Sequence, residues 1–185
     1  VPGALMTMAV SAILDRIVED ICHDNPACIL QELNRLLNQS LRRGSGSAGI
    51  QDGLDAGVLF VSGQSSVSYS GAHISLYLIR NGETVEIKGS GRTIGKEIGK
   101  KEILYENYKI ELEPDTSCYM ATDGITDQIG GEQKLPFGKK GLLTILQSIQ
   151  HLPMEEQKNV IWSAFEDYRK DEIRRDDITL IGFKL

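Results

Sequence analysis

The chain has 185 residues, 41% of them hydrophobic and 25% charged, a balance that excludes long disorder, collagen-like repeats and low complexity as overall descriptions. Its formal net charge of −6 argues against a surface devoted to nucleic-acid backbone, which needs clustered Lys and Arg. The length fits a single domain, 1–185, with a core that needs no staples. Three cysteines, Cys22, Cys28 and Cys118, cannot complete a disulfide framework, which fits a reducing compartment. No apolar run approaches the roughly 20 residues of a membrane span. No basic start followed by an apolar run marks a signal peptide, so a cytoplasmic segment without membrane contact is expected.

Residues 5–21 carry Met6, Val10, Ile13, Leu14, Ile17 and Val18 at helical spacing, which predicts a helix with a wide apolar face. Asn25-Pro26 reads as the cap and first residue of a second helix, whose stripe of Ile29, Leu33, Leu36 and Leu37 fades near Leu41. The Gly- and Ser-rich stretch 42–53 reads as a loop. The period then shortens, and 54–61 and 67–70 are predicted strands. Residues 76–80, Asn81-Gly82 and 83–87 predict a tight hairpin, because both turn residues tolerate positive φ. After a Gly- and Lys-rich loop over 88–101, alternation at Tyr108, Ile110 and Leu112 predicts another strand. Pro114-Asp115 reads as a turn and 118–121 as a further strand. Leu142, Ile145, Leu146 and Ile149 mark a third helix; Val160, Ala164, Phe165 and Tyr168 mark a fourth. Residues 178–185 are apolar on both alternating sets, as in a strand covered on both faces. This order predicts an α+β fold with helices layered on antiparallel sheets.

Two acidic points lie at predicted strand ends. The strand over 118–121 runs into Thr122-Asp123-Gly124-Ile125-Thr126-Asp127, and Arg174-Arg175-Asp176-Asp177 leads into the last strand. An Asp after a buried strand, followed by Gly, sits at a sheet rim where backbone can approach a ligand. Carboxylates brought together from two strand ends suit hard cations such as Mg²⁺ or Mn²⁺. Asp-Gly is also a common turn, and Asp-Asp beside Arg-Arg also reads as a solvated charge cluster. Cys22-His23 with Cys28 lacks the second pair that a zinc site needs, so both cysteines are expected to pack on helices. His73 reads as a structural loop residue and His151 as an exposed helix-end residue. The loop with Lys88, Arg92, Lys96, Lys100 and Lys101 lacks phosphate-loop spacing and reads as solvated.

Further segments join these in order: Val1-Pro2-Gly3-Ala4-Leu5-Met6, Tyr69-Ser70-Gly71-Ala72-His73, 76–82 and Phe137-Gly138. Together with Thr122-Asp123-Gly124 and Arg175-Asp176-Asp177-Ile178-Thr179, the set spans nearly the whole chain. It resembles the SpoIIE-like branch of the PPM (type 2C) metal-dependent serine/threonine protein phosphatases. The resemblance implies an antiparallel β-sandwich flanked by helices in α-β-β-α layers. It implies hydrolysis of phosphoserine or phosphothreonine by a water that two Mn²⁺ or Mg²⁺ ions bridge and acidify. Residue by residue, the family's strand-end metal Asp falls on Asp123, with Gly124 beside it, and its late metal Asp falls on Asp176. Asp123 and Asp176 are thus the expected catalytic metal ligands, with Thr122 and Asp177 behind them. No substrate-binding residue is assigned. The implied substrate is a bacterial STAS-domain regulatory protein of a partner-switching pathway, and residues 5–41 inherit a switch role.

The branch's Asp-x-x-Gly-His-Gly segment, whose Asp bridges both metals, is expected just before Val-Pro-Gly-Ala and is absent from the 185 residues. The expectation is a fragment lacking its opening strands, from a parent with an upstream sensor or membrane region. Such a fragment would hold one ion or none, turn over little substrate, and form a homodimer through uncovered sheet edges. The alternative is a non-catalytic PPM-like module that binds a signalling partner.

Overall fold

The computed structural model describes residues 3–44, 53–95 and 104–185. In chain order the first elements are α1 (Gly3–Asp20), α2 (Pro26–Gly44), β1 (Ala56–Ser62), β2 (Ser66–Ala72), β3 (Leu76–Arg80), β4 (Glu83–Ile87) and β5 (Tyr108–Glu111). Then come β6 (Ser117–Ala121), α3 (Asp123–Thr126), β7 (Ile129–Gly130), β8 (Leu135–Pro136), α4 (Gly138–Ile149), α5 (Met154–Arg169) and β9 (Leu180–Lys184). The expected α+β fold, antiparallel sheets with helices, is what the structure shows. The chain divides into two compact units, 1–74 with 88–112, and 75–87 with 113–185. No described helix is long and apolar enough to cross a membrane.

In the first unit, α2 lies on a three-stranded sheet of order β1-β2-β5, against β1 and β2, and α1 packs on α2. Asn25 caps α2 as expected: its Oδ1 accepts the Cys28 N–H at 3.2 Å. Pro26 takes the first helical position, where a missing N–H costs nothing. The α2 stripe of Leu30, Leu33 and Leu37 is buried with Ile17 of α1 and Ala72 of β2. Each such side chain contributes about 1.5–3 kcal/mol by leaving water. Asn34 is buried in the same helix and accepts the Gly95 N–H at 2.9 Å, so its oxygen is satisfied. One expectation is corrected here: Cys22 and Cys28 do not pack separately but form a disulfide, with Cα atoms 6.1 Å apart. The turn from α1 into α2 brings the two within bridging range. Of the predicted loop 42–53, residues 42–44 continue α2 and 45–52 lie outside the described residues. Of the basic loop 88–101, Lys96, Lys100 and Lys101 lie outside them too. Ile94 pairs with Leu54 through hydrogen bonds of 3.0 and 2.9 Å.

In the second unit the sheet order is β4-β3-β6-β9, all antiparallel. The β3–β4 turn is the predicted one, with φ of 50° at Asn81 and 78° at Gly82. Helices α4 and α5 bury Leu142, Leu146, Ile149, Ile161 and Phe165 with Ile79 and Tyr119. The Tyr119 hydroxyl donates to Gln157 Oε1, and Gln157 Nε2 donates to the Leu152 carbonyl at 2.8 Å. Both residues are buried, so this chain of bonds ties α5 to β6 without an unmet polar group in it. The last strand differs from expectation. β9 stands last in the sheet order, and Ile181 is 52% exposed, so the strand is not covered on both faces. A continuous apolar run does not distinguish an edge strand from a central one.

Candidate functional site

β6 and β9 pair antiparallel from Ser117↔Lys184 to Ala121↔Leu180, so the end of β6 and the start of β9 meet at one end of the sheet. Thr122 extends the pairing beyond both strands. Its N–H donates to the Thr179 carbonyl at 3.0 Å, and its Oγ1 accepts the Thr179 N–H at 3.0 Å. The same hydroxyl lies 3.4 Å from the Asp177 and Thr179 carbonyls. Directly after it the chain turns into α3, closed by the Asp127 N–H donating to the Asp123 carbonyl at 2.8 Å. Gly124 is buried at that turn, and a Cβ there would lie 2.2 Å from the Asp177 carbonyl oxygen. Only glycine lets these two backbones approach so closely.

The structure therefore sets Thr122-Asp123-Gly124 alongside Asp177-Ile178-Thr179, with Asp176 next along the second segment. Asp123, Asp176 and Asp177 are exposed, and Asp176 Oδ1 accepts the Asp177 N–H at 2.8 Å. Behind the turn lies a cleft of about 390 Å³, walled by Ile125, Ile178, Leu180, Phe165 and Trp162 among others. The side chains next to Gly124 and Asp177 thus face apolar surroundings while the carboxylates stay in water.

This donor set suits one hard divalent ion. Asp123 and Asp176 are both exposed on neighbouring segments held together by the close Gly124–Asp177 backbone contact, and the donor atoms they offer are oxygens. Among the described residues no three His, Cys, Asp or Glu side chains gather as a metal cage, so an ion here would keep several waters, as Mg²⁺ commonly does. No described thiol offers an alternative nucleophile. Cys22 and Cys28 are bonded to each other, and burial pushes the Cys118 thiol up to about 12. His73 sits in a turn with φ of 61°, its N–H donating to the Ser90 carbonyl at 2.8 Å, which accords with a structural role.

Sequence reading missed Gln128. It is fully buried, its Nε2 donates to the Ile173 carbonyl at 3.1 Å, and its main-chain carbonyl accepts the Phe137 N–H at 2.8 Å. A polar residue just after a turn carries no periodic signal, and its partner lies 45 residues away.

A family model described as Stage II sporulation protein E (SpoIIE) matches residues 1–185. Among solved structures, the SiaA-PP2C domain of Pseudomonas aeruginosa is 33% identical, with a TM-score of 0.84; the match covers 100% of this chain and 69% of that one. The PP2C phosphatase domain and a regulatory fragment of SpoIIE from Bacillus subtilis match at 15% identity and TM-score 0.64, covering 96% of this chain and 48% of that one. RsbX in complex with magnesium matches at 16% identity and TM-score 0.60, covering 94% and 71%. The last two likenesses speak for the fold alone. No curated protein sequence matches the chain. With a family model spanning every residue and a third of its positions identical to a PP2C domain of the same fold, the chain belongs to the SpoIIE family of PP2C-type serine/threonine protein phosphatases.

Proposed function

We propose that Asp123 and Asp176 hold Mn²⁺ or Mg²⁺ in a site that hydrolyses phosphoserine or phosphothreonine on a bacterial regulatory protein. The observation that carries this reading is the locking of the Thr122-Asp123-Gly124 turn onto the segment bearing Asp176 and Asp177. Magnesium in the RsbX structure supports the choice of ion. The chemistry such ions supply is acidification of a water and neutralisation of phosphoryl oxygens. The chain's own part is positional. Asp123 and Asp176 offer carboxylate oxygens from two segments, Thr122 fixes their separation, and Gly124 leaves room for the Asp177 backbone behind them. The substrate we assign is a phosphorylated STAS-domain protein of a partner-switching pathway, in the cytoplasm.

The 185 residues contain no Asp-x-x-Gly-His-Gly segment. A two-ion mechanism therefore belongs to a domain that supplies it, and this chain alone holds one ion weakly and turns over little substrate. It self-associates as a homodimer, a reading supported by the outer side of β9, which no strand among the described residues pairs, with Ile181 and Leu185 exposed. A second reading is a non-catalytic module that binds a signalling partner, favoured by the lack of a three-ligand cluster among the described residues.

The test is hydrolysis of a phosphoserine peptide in Mn²⁺ by this chain and by the chain joined to a segment carrying Asp-x-x-Gly-His-Gly. Turnover by the joined chain, abolished by Asp123→Asn, is the expected result. Turnover by neither would favour the binding module. Full turnover by the short chain would show that the bridging Asp is dispensable.

A further inference from the structure

The segment bearing Asp123 is tied to the segment bearing Asp176 at both of its ends. At one end Thr122 bonds to residues 177 and 179; at the other, Gln128 bonds to residue 173. The two segments run in opposite directions between these ties, the first carrying Asp123 and Asp127 and the second Asp176 and Asp177. Gln128 is a costly choice for this place. It is wholly buried, and its Oε1 finds no hydrogen-bond partner among the described residues, which costs desolvation with no bond in return. An apolar side chain of the same size would avoid that cost but could hold neither the Ile173 carbonyl nor the Ile129 carbonyl, to which the same Nε2 donates at 2.9 Å.

The neighbouring carbonyl is gripped in the same way. Arg169 Nη1 donates to the Glu172 carbonyl at 2.8 Å, and Arg169 Nε is buried without a partner among the described residues. Residues 170–172 are also bound to the end of α5, through Lys170 N–H to the Glu166 carbonyl at 2.9 Å and Glu172 N–H to the Arg169 carbonyl at 3.1 Å. Gln128 reaches one residue further, to Ile173, three residues before Asp176. Gln128 directly follows Asp127, the C-cap of α3 whose N–H bonds to the Asp123 carbonyl, so the tie lies one residue from the turn that bears Asp123.

We propose that Gln128 is a positioning residue that fixes the loop carrying Asp176 relative to Asp123, and so sets the geometry in which both carboxylates meet a divalent ion. This rests on the metal reading of the site. Its removal weakens ion binding without touching a ligand, as loss of supporting hydrogen bonds around metal ligands does.

The test uses the whole chain with Mn²⁺ as probe, and Gln128→Met as the variant of matching size. Electron paramagnetic resonance titration of free Mn²⁺ is expected to show affinity weakened by about tenfold or more. Hydrogen exchange of amides 173–178 is expected to speed up about fivefold, the equivalent of one lost hydrogen bond. Ile149→Val, a core trimming in α4, should lower the melting temperature with neither effect. Gln128→Asn, which keeps the amide but shortens its reach, should fall between Gln128→Met and wild type, and it serves if Gln128→Met does not fold. A folded Gln128→Met or Gln128→Asn with wild-type Mn²⁺ affinity overturns the proposal, as does unchanged exchange in 173–178. Wild-type chain that binds no Mn²⁺ overturns the metal reading of Asp123 and Asp176, and the positioning role with it, while faster exchange in the variant would still show the tie.

Discussion

Gly124 shows how much can hang on one missing Cβ. With 2.2 Å from its ideal Cβ position to the Asp177 carbonyl oxygen and 3.0 Å to the Asp177 carbonyl carbon, the obstacle is backbone, which cannot swing aside as a side chain can. Gly124→Ala is expected to destabilise the chain by about 1–3 kcal/mol, the usual penalty of overpacking, read as a lowered melting temperature. It should also weaken Mn²⁺ binding; an alanine variant with wild-type stability would mean the two backbones separate freely. Buried titratable groups give a second prediction. Burial holds the Cys118 thiol at about 12, and burial, helped by nearby Asp55, holds the Tyr105 hydroxyl at about 12. In the unfolded chain both lose their protons earlier. Their contribution to stability is therefore complete below the ordinary thiol and phenol ranges and is lost as pH rises toward 12. Thermal melts should be level around neutrality and fall above about pH 9, with a shallower fall in Cys118→Ala. At this scale the placement of Asp123, Gly124 and Asp176 beyond the ends of paired strands is legible, because strand ends and an Asp-Gly turn mark it in one dimension. Gln128 was not, since its meaning lies in a carbonyl that only the fold brings near.

Elements behave according to how locally they are determined. The Asn81-Gly82 hairpin and the Asn25-Pro26 start of α2 are written in adjacent residues, and both form as read. The one-turn α3 and the two-residue strands β7 and β8 are too short to show a period, and the sequence reading passed over them. The exposure of β9 was misread for a different reason: its apolar run reports composition, whereas its place at the end of the sheet is a matter of topology. The α1–α2 junction yields a direct check. Denatured without reductant, the chain should offer a single thiol to maleimide, that of Cys118, and three once reduced. Three reactive thiols without reductant would remove the Cys22–Cys28 bridge. Across α5 and β6, Phe165→Ala should cost about 3–5 kcal/mol, because the ring is buried against Leu146 and Tyr119 in the core of its unit.

For the molecule as a whole, the α+β class followed from the order of elements, while membership of the SpoIIE family rests on a match over residues 1–185. Composition could not have supplied it, since the motifs are individually common and only their order is specific. The outer side of β9 bears on association: backbone that no strand among the described residues pairs, beside exposed Ile181 and Leu185, should draw in another strand. Sedimentation velocity is expected to show a dimer that dissociates on dilution, and Ile181→Lys should shift it to monomer. A monomer at every concentration would mean that the exposed edge is not used.

The proposed metal site can be examined without any substrate. Mn²⁺ binding to the 185-residue chain, followed by electron paramagnetic resonance, should saturate at one ion. Asp123→Asn and Asp176→Asn should each weaken binding by about tenfold or more, and the double variant, which keeps neither carboxylate, should bind more weakly than either single one. Two single variants that keep wild-type affinity while remaining folded would contradict the assignment of Asp123 and Asp176 as its ligands.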